Sequence, residues 1–421
     1  MLVSMELLPG VALHCCRDDR FKHGALSIQF VCPMTAQDAA YNALLPAVLL
    51  RGTQQYPDLR AITWRLDDLY GAAVSALVRR VGDYQTTGLY CSFIEDRFAL
   101  AGDQVLRPMV EFASQLLFDP KMEDGGFRAD FVQSEKKNLI ATIESEINDK
   151  RVYASAQLMK LMCREDSFGL PRLGSVEQVE AIEPKSLYRH YLRILRQSPV
   201  ELFYVGGAQP EQVANLLRAQ FEKLERDVHP LPAQTAFHGV QGVHQREQMD
   251  VTQTKLCMGF VTPVTNQSDE FAAMQVMNTV YGAGMTSKLF MNLREKQSLC
   301  YSISSGYYGS KGIMTVGAGI DTCNEEIARA EILKQLQLCC EGDVTAAELE
   351  GAKEAILSSL QTIHDSPGAI EGYYATGALS GLSLTPQEYA QKVKAVTVAD
   401  VAAAAQKLQY HSSFCLKGEA T

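Results

Sequence analysis

The 421-residue chain has a formal net charge of −10 and is 47% hydrophobic. Because domains usually hold roughly 100–200 residues, this length and apolar content are enough for more than one hydrophobic core. It has no Lys/Arg cluster and no apolar run of membrane-spanning length, so nucleic acid and a membrane are not expected as partners. Its eleven cysteines include no C-x-x-C pair, and we therefore predict reduced thiols in a cytoplasmic protein.

The first informative segment is a predicted strand followed by a helix. The strand covers residues 26–32 and ends at Pro33. Apolar residues then recur at helical spacing, and the helix is expected to stop before Gly52. The apolar face that predicts core packing is formed by Tyr41, Leu44, Leu45, Val48 and Leu49.

The other face of this helix carries Ala43, Pro46 and Ala47. These i, i+3 and i+4 positions are those from which an H-x-x-E-H helix projects two imidazole ligands and a carboxylate base at a zinc ion. None of the three residues can bind zinc or transfer a proton. Pro46 also removes the helical hydrogen bond to the carbonyl of Asn42.

The first half of the chain recurs in the second half. F-V-x-P-x-T begins at Phe30 and again at Phe260, and residues 136–147 (KKNLIATIESEI) match residues 353–364 (KEAILSSLQTIH). A segment rich in Pro, Gly, Gln and His separates the copies. We predict an α+β protein with two domains of similar topology, at 1–226 and 246–421, joined by a linker at 227–245.

The second copy also lacks metal ligands in its corresponding helix, but it contains a polar pair further on. Residues 281–306 predict a helix that ends at Gly282, a short amphipathic helix, a turn and a strand that contains Tyr301. Arg294 and Tyr301 offer a planar fork of donors and a single O–H, groups suited to a peptide backbone. A surface arginine and a half-buried tyrosine of no chemical role are the alternative.

The whole chain resembles the M16 family of insulinase-like and mitochondrial-processing-peptidase-like proteins. The resemblance rests on Leu50-Arg51-Gly52-Thr53 after the first helix, on residues 66–72 (LDDLYGA), and on Ser287-Lys288-Leu289-Phe290 through Leu293-Arg294-Glu295-Lys296 to Tyr301. It implies two M16-type (LuxS/MPP-like) domains, each an antiparallel-rich sheet covered by helices. Counting back from Gly52 and Thr53 places the family's H-x-x-E-H on Ala43, Pro46 and Ala47.

The resemblance also implies a third zinc ligand, a glutamate seven residues after a first acid. With Glu135 as that acid the ligand position falls on Thr142, and Glu144 lies nearby. We therefore predict neither a metal nor a cofactor, and no zinc-dependent peptidase activity from this chain alone.

The sequence does not favour two other chemistries. No two of the eight histidines lie three or four residues apart, and His238 and His244 in the predicted linker are expected to be exposed polar residues rather than ligands. Cys300 beside Tyr301 could be a nucleophile, but a buried thiol is the favoured interpretation.

The resemblance implies a non-catalytic subunit of a heterodimeric M16 peptidase. An H-x-x-E-H partner would carry the zinc, while Arg294 holds a carbonyl of a short peptide and Tyr301 donates to the oxyanion. One alternative is a scaffold or assembly protein that keeps the fold without a proteolytic role. Another is a peptide-binding protein that acts alone.

Overall fold

The computed structural model describes residues 2–237 and 241–418. His238, which the sequence predicts to be exposed, lies outside the described residues. Within them the strands are β1 (Leu2–Leu8), β2 (Val11–Arg17), β3 (His23–Pro33), β4 (Ala73–Val81), β5 (Tyr84–Ile94), β6 (Met122–Glu123), β7 (Gly126–Phe127), β8 (Val200–Gly206), β9 (His244–Gln248), β10 (Thr254–Val261), β11 (Cys300–Tyr308), β12 (Ile313–Ile320) and β13 (Gln409–Lys417).

The helices lie between these strands, singly or in runs of up to five. They are α1 (Ala39–Leu49), α2 (Leu59–Asp68), α3 (Leu106–Phe118), α4 (Ala129–Asn148), α5 (Lys150–Met162), α6 (Val176–Glu180), α7 (Pro184–Gln197), α8 (Pro210–Phe221), α9 (Phe271–Asn278), α10 (Glu325–Cys340), α11 (Ala346–Thr362), α12 (Pro367–Ser380), α13 (Pro386–Ala395) and α14 (Val398–Gln406). Two π-helical segments, Thr279–Ala283 and Phe290–Lys296, lie in the second half. No described helix has both the length and the apolar character needed to cross a membrane.

The chain divides into two compact units, and neither is a single continuous range. Unit 1 contains residues 1–144, 171–233 and 364–376, and unit 2 contains residues 145–170, 234–363 and 377–421. A segment from each half of the sequence is thus counted with the unit built mainly from the other half. The segment between the two copies includes the start of β9, because this strand begins at His244 and pairs in parallel with β13.

Unit 1 is built on a six-stranded sheet in the order β1-β2-β8-β3-β5-β4. Its neighbours are antiparallel except for β2 and β8. One face packs against α1, α3, α7 and α8, and there Leu26, Ile28 and Phe30 of β3 enter the core. Because side chains alternate along a strand, Ser27 and Gln29 point to the opposite face.

Unit 2 has a five-stranded sheet in the order β11-β12-β10-β13-β9. It too is antiparallel apart from one pair, β9 and β13. Helix α5 covers one face, where Ala154 and Leu158 pack against Cys257, Phe414 and Leu416. The two antiparallel-rich sheets covered by helices confirm the predicted α+β fold.

Candidate functional site

The three predicted metal positions all lie on helix α1, and none of them carries a metal-binding group. It is one continuous helix from Ala39 to Leu49 that contains Pro46. Ala43 and Pro46 are buried and Ala47 is partly buried. Methyl groups and a pyrrolidine ring offer no lone pair, so this face of α1 can neither hold zinc nor activate water.

The position of the predicted third ligand is equally unsuited. Thr142 on α4 is exposed, and its hydroxyl donates to the carbonyl of Asn138 at 2.9 Å. Glu144 is also exposed, whereas Glu135 is buried and faces Arg51 at 3.2 Å. In the described part of the chain no group of three or more His, Cys, Asp or Glu side chains could hold a metal ion.

The Asn42 carbonyl, which cannot accept a helical hydrogen bond from Pro46, accepts one from a side chain instead. The Thr87 hydroxyl of β5 donates to the Asn42 carbonyl at 2.8 Å, and both residues are buried. A buried carbonyl without a partner carries a desolvation cost of about 1–3 kcal/mol. This side-chain bond therefore allows a proline inside a buried helix.

Asn42 also joins a buried polar network that the sequence analysis missed. Its amide nitrogen donates to Gln85 Oε1 at 2.9 Å, and its Oδ1 lies 2.7 Å from His190 Nε2. Gln85 in turn donates to the carbonyls of Ala39 and Arg172. The network fixes α1 to β5 and α7. Its one sequence signal is the polar Asn42 among the apolar residues of this helix.

His190 is held neutral within this network. Burial lowers its pKa to about 4; Asp38 raises the pKa and Arg193 lowers it. Arg193 Nη2 donates to Nδ1 at 2.8 Å, so the ring proton lies on Nε2 and points to Asn42. The imidazole therefore has a structural role in this hydrogen-bond network and does not transfer protons.

Arg294 lies in the π-helical segment Phe290–Lys296, which is anchored by the fully buried Leu289 and Leu293. The guanidinium stacks 4.7 Å from the centre of the Phe290 ring and lies 3.7 Å from Glu295. Its side chain remains 44% exposed. Stacking on an aromatic ring leaves the planar N–H fork available at its edge.

Tyr301 follows in strand β11, at the edge of the unit 2 sheet. The turn before it is closed by a hydrogen bond from Leu299 to the Leu293 carbonyl and by a left-handed Ser298 (φ 52°). The Tyr301 ring is 57% exposed, and its hydroxyl donates to Asp321 at 3.2 Å. This hydrogen bond raises the phenol pKa, so the group remains a proton donor at neutral pH.

Arg294 and Tyr301 thus lie in consecutive elements of unit 2, each with its own neighbour. Within the described residues no hydrogen bond joins them. Both offer donors to solvent, so they can bind a carbonyl or an oxyanion, but neither can serve as a general base.

Cys300 does not have the surroundings of a nucleophile. It is buried at the start of β11, and burial raises its pKa to about 11, against a lowering by the charge of Arg294. A cysteine acts as a nucleophile through its thiolate, and this thiol stays protonated at neutral pH.

Comparisons with known proteins show similarity to M16 peptidases. The family described as "Peptidase M16 inactive domain" matches residues 181–356. A Bacillus subtilis protein described as "Probable inactive metalloprotease YmfF" is 29% identical over 410 residues, which cover 97% of this chain and 96% of the relative.

Two solved structures share the fold over nearly the full length. A conserved protein from Enterococcus faecalis superposes with a TM-score of 0.92 at 27% identity and 99% coverage of both chains. A peptidase M16 inactive domain from Pseudomonas fluorescens superposes with a TM-score of 0.82 at 17% identity, covering 100% of this chain and 99% of that one. The chain is thus a homologue of the M16 peptidases and is similar over nearly its whole length to a relative described as inactive.

Proposed function

We propose that this chain is the non-catalytic subunit of a heterodimeric M16 peptidase and supplies Arg294 and Tyr301 to the zinc site of an H-x-x-E-H partner. The observation that carries the proposal is the contrast between two sets of positions. The metal positions are occupied by Ala43, Pro46, Ala47 and Thr142, whereas both donors are present and exposed.

In this proposal the guanidinium of Arg294 binds a carbonyl or carboxylate of a short peptide. Arginine gives two parallel N–H donors, and such bidentate contacts fix orientation as well as add affinity. The Phe290 ring and Glu295 hold the guanidinium from its own helical segment. Binding and orientation are therefore the role expected of Arg294.

Tyr301 has the role of a donor to the oxygen on which negative charge develops. A donor placed at an oxyanion contributes about 3–4 kcal/mol in related reactions. The Tyr301 hydroxyl donates to Asp321 in the isolated chain, so the substrate oxygen replaces Asp321 as its acceptor. The raised pKa keeps the proton on the phenol while it does so.

The test is peptide cleavage by a reconstituted pair of this chain and an M16 partner with an intact zinc motif. Tyr301→Phe is expected to lower kcat about 100-fold, because only the hydroxyl is lost. Arg294→Ala is expected to raise KM about tenfold or more, because a bidentate contact to bound peptide is lost.

Matched controls come from the same elements. Tyr308→Phe removes a hydroxyl from another exposed tyrosine of β11, and Lys296→Ala removes a positive charge from the same π-helical segment. Both are expected to cleave at the rate of the unaltered pair. Unchanged cleavage by both the Arg294→Ala and Tyr301→Phe pairs would sink the proposal and favour a scaffold role.

A further inference from the structure

The face of the unit 1 sheet opposite the core carries a buried polar cluster that includes a carboxylate. Ser27 and Gln29 of β3 are 0% and 1% exposed. Glu371 of α12, in the part of that helix that belongs to unit 1, has a side chain with no exposed surface. Arg79 of β4 completes the cluster and is partly exposed.

Every neighbour in the cluster directs a donor at the carboxylate. Ser27 Oγ lies 2.7 Å and Gln29 Nε2 3.0 Å from Oε1 of Glu371. Arg79 adds a bidentate pair, Nη1 to Oε1 at 2.8 Å and Nη2 to Oε2 at 2.7 Å. A planar arginine fork with two further donors is a complete recognition set for a carboxylate.

The internal repeat shows that a helix can pack on this face of the sheet without a carboxylate and its donors. At the repeat offset of Phe30 and Phe260, Ser27 corresponds to Cys257 and Gln29 to Gly259. At the offset of Lys136 and Lys353, Glu371 corresponds to Ala154. In unit 2 these counterparts make an apolar contact, with Ala154 and Leu158 packed on Cys257. The carboxylate cluster is therefore specific to unit 1.

The cluster also retains unused hydrogen-bonding capacity. Gln29 Oε1 and Thr86 Oγ1 are buried and have no hydrogen-bond partner among the described residues. Thr86 lies directly opposite Arg79 in the pairing of β4 with β5. A buried amide oxygen without a donor is costly, and a ligand that brings an N–H beside its carboxylate satisfies it.

Helix α12 is a weak helix. Gly368, Gly372 and Gly377 occupy three of its positions, and glycine is the poorest helix former after proline. A Cβ added at Gly372 meets nothing within 4 Å, so this glycine is not required by packing. The element that brings Glu371 to the cluster is thus weakly preorganised.

We propose that Ser27, Gln29 and Arg79 form a binding site for the C-terminal carboxylate of a peptide, and that Glu371 occupies this site as an internal ligand. The terminal carboxylate takes the place of the Glu371 carboxylate, and the N–H of the last peptide residue donates to Gln29 Oε1. An acidic side chain lacks an N–H at this distance from its carboxylate. The site is independent of the function proposed for Arg294 and Tyr301.

The experiment measures binding of N-acetyl-trialanine to the full chain by calorimetry. Glu371→Ala removes the internal competitor and is expected to raise affinity for this peptide at least tenfold over the unaltered chain. The C-terminal amide of the same peptide is expected not to bind. Adding Arg79→Ala to Glu371→Ala is expected to abolish the gain, whereas adding Arg107→Ala, at an exposed arginine of α3, preserves it.

Two further variants keep the test decisive if Glu371→Ala does not fold. Glu371→Gln keeps the shape and removes the charge, and it is expected to raise affinity severalfold. Gly372→Ala strengthens α12 and is expected to lower the affinity of the otherwise unaltered chain about threefold.

Two outcomes would overturn the assignment. One is equal affinity of the Glu371 variants for the acid and the amide, which would make the cluster only an internal ion pair. The other is equal affinity for acetate, or for N-acetyl-Ala-Glu-Ala amide, and for N-acetyl-trialanine, which would remove the peptide C-terminus as the recognised group.

Discussion

Asn42 and His190 show at the residue scale how a buried polar network holds helix α1. Both are buried, and they meet at 2.7 Å through a nitrogen that carries its proton because Arg193 donates to the other one. A protonated imidazole at this place would face the Arg193 guanidinium at the distance of a hydrogen bond. The network is therefore stable only while His190 is neutral.

This arrangement predicts a loss of stability in weak acid. The folded pKa of His190 is about 4, below the ordinary value of 6.5, so the unfolded chain binds the proton more readily. The contribution of His190 to the free energy of unfolding is fully present above about pH 6.5. It is lost as the pH drops toward 4, which lowers the free energy of unfolding by about 3 kcal/mol. Urea unfolding at pH 7.5 and pH 5 measures the change.

His190→Gln serves as the comparison, because glutamine can still donate to Asn42 but does not titrate. The unaltered chain is expected to lose more stability between the two pH values than this variant. Equal losses would show that His190 does not contribute to the pH dependence.

At the scale of elements, α1 depends on β5 for a hydrogen bond that its own backbone cannot make. The Thr87 hydroxyl reaches the Asn42 carbonyl because Pro46 has no N–H to offer. Thr87→Val keeps the side-chain shape and is expected to cost about 1–3 kcal/mol of unfolding free energy. Chemical denaturation measures the cost.

A double-mutant cycle tests the cause. In a Pro46→Ala background the restored N–H can satisfy the Asn42 carbonyl, so Thr87→Val is expected to cost less than half as much. Thr86→Val is the matched control, since the Thr86 hydroxyl has no partner among the described residues, and no loss of stability is expected. An equal cost of Thr87→Val with and without Pro46 would contradict this account.

The elements of the candidate site were largely predictable from the sequence. The apolar spacing of α1 predicted its buried Leu44, Leu45, Val48 and Leu49. The polar turn before Tyr301 predicted the start of β11. Local spacing determines both features, because a helix and a strand each repeat over a few residues.

What escaped prediction depends on contacts between distant parts of the chain. Ser27 and Gln29 alternate with apolar residues in β3, which indicates a polar face but not what covers it. Their partner Glu371 lies more than 300 residues away. His190 likewise reaches Asn42 from α7. Such pairs follow from topology, which local spacing does not contain.

At the scale of the whole molecule, the sequence repeat and the compact units do not follow the same boundaries. Residues 145–170 are counted in unit 2 and residues 364–376 in unit 1. The corresponding helices α5 and α12 begin at matching positions of the repeat, Lys150 and Pro367. The corresponding helix of each copy is therefore counted with the unit that is built mainly from the other copy. Of these two helices, only α12 contributes a buried carboxylate, that of Glu371.

The chain has an M16-type fold, and its described residues include no group of three or more His, Cys, Asp or Glu that could hold a metal ion. The central proposal is that it completes the active site of another subunit. The most direct test is a titration of purified chain into a fixed amount of an M16 partner with intact H-x-x-E-H, with peptide cleavage as the readout. We predict no cleavage and no stoichiometric zinc in the chain alone, and a cleavage rate that rises with added chain and saturates near one chain per partner. A partner that cleaves at its full rate without the chain would contradict the account.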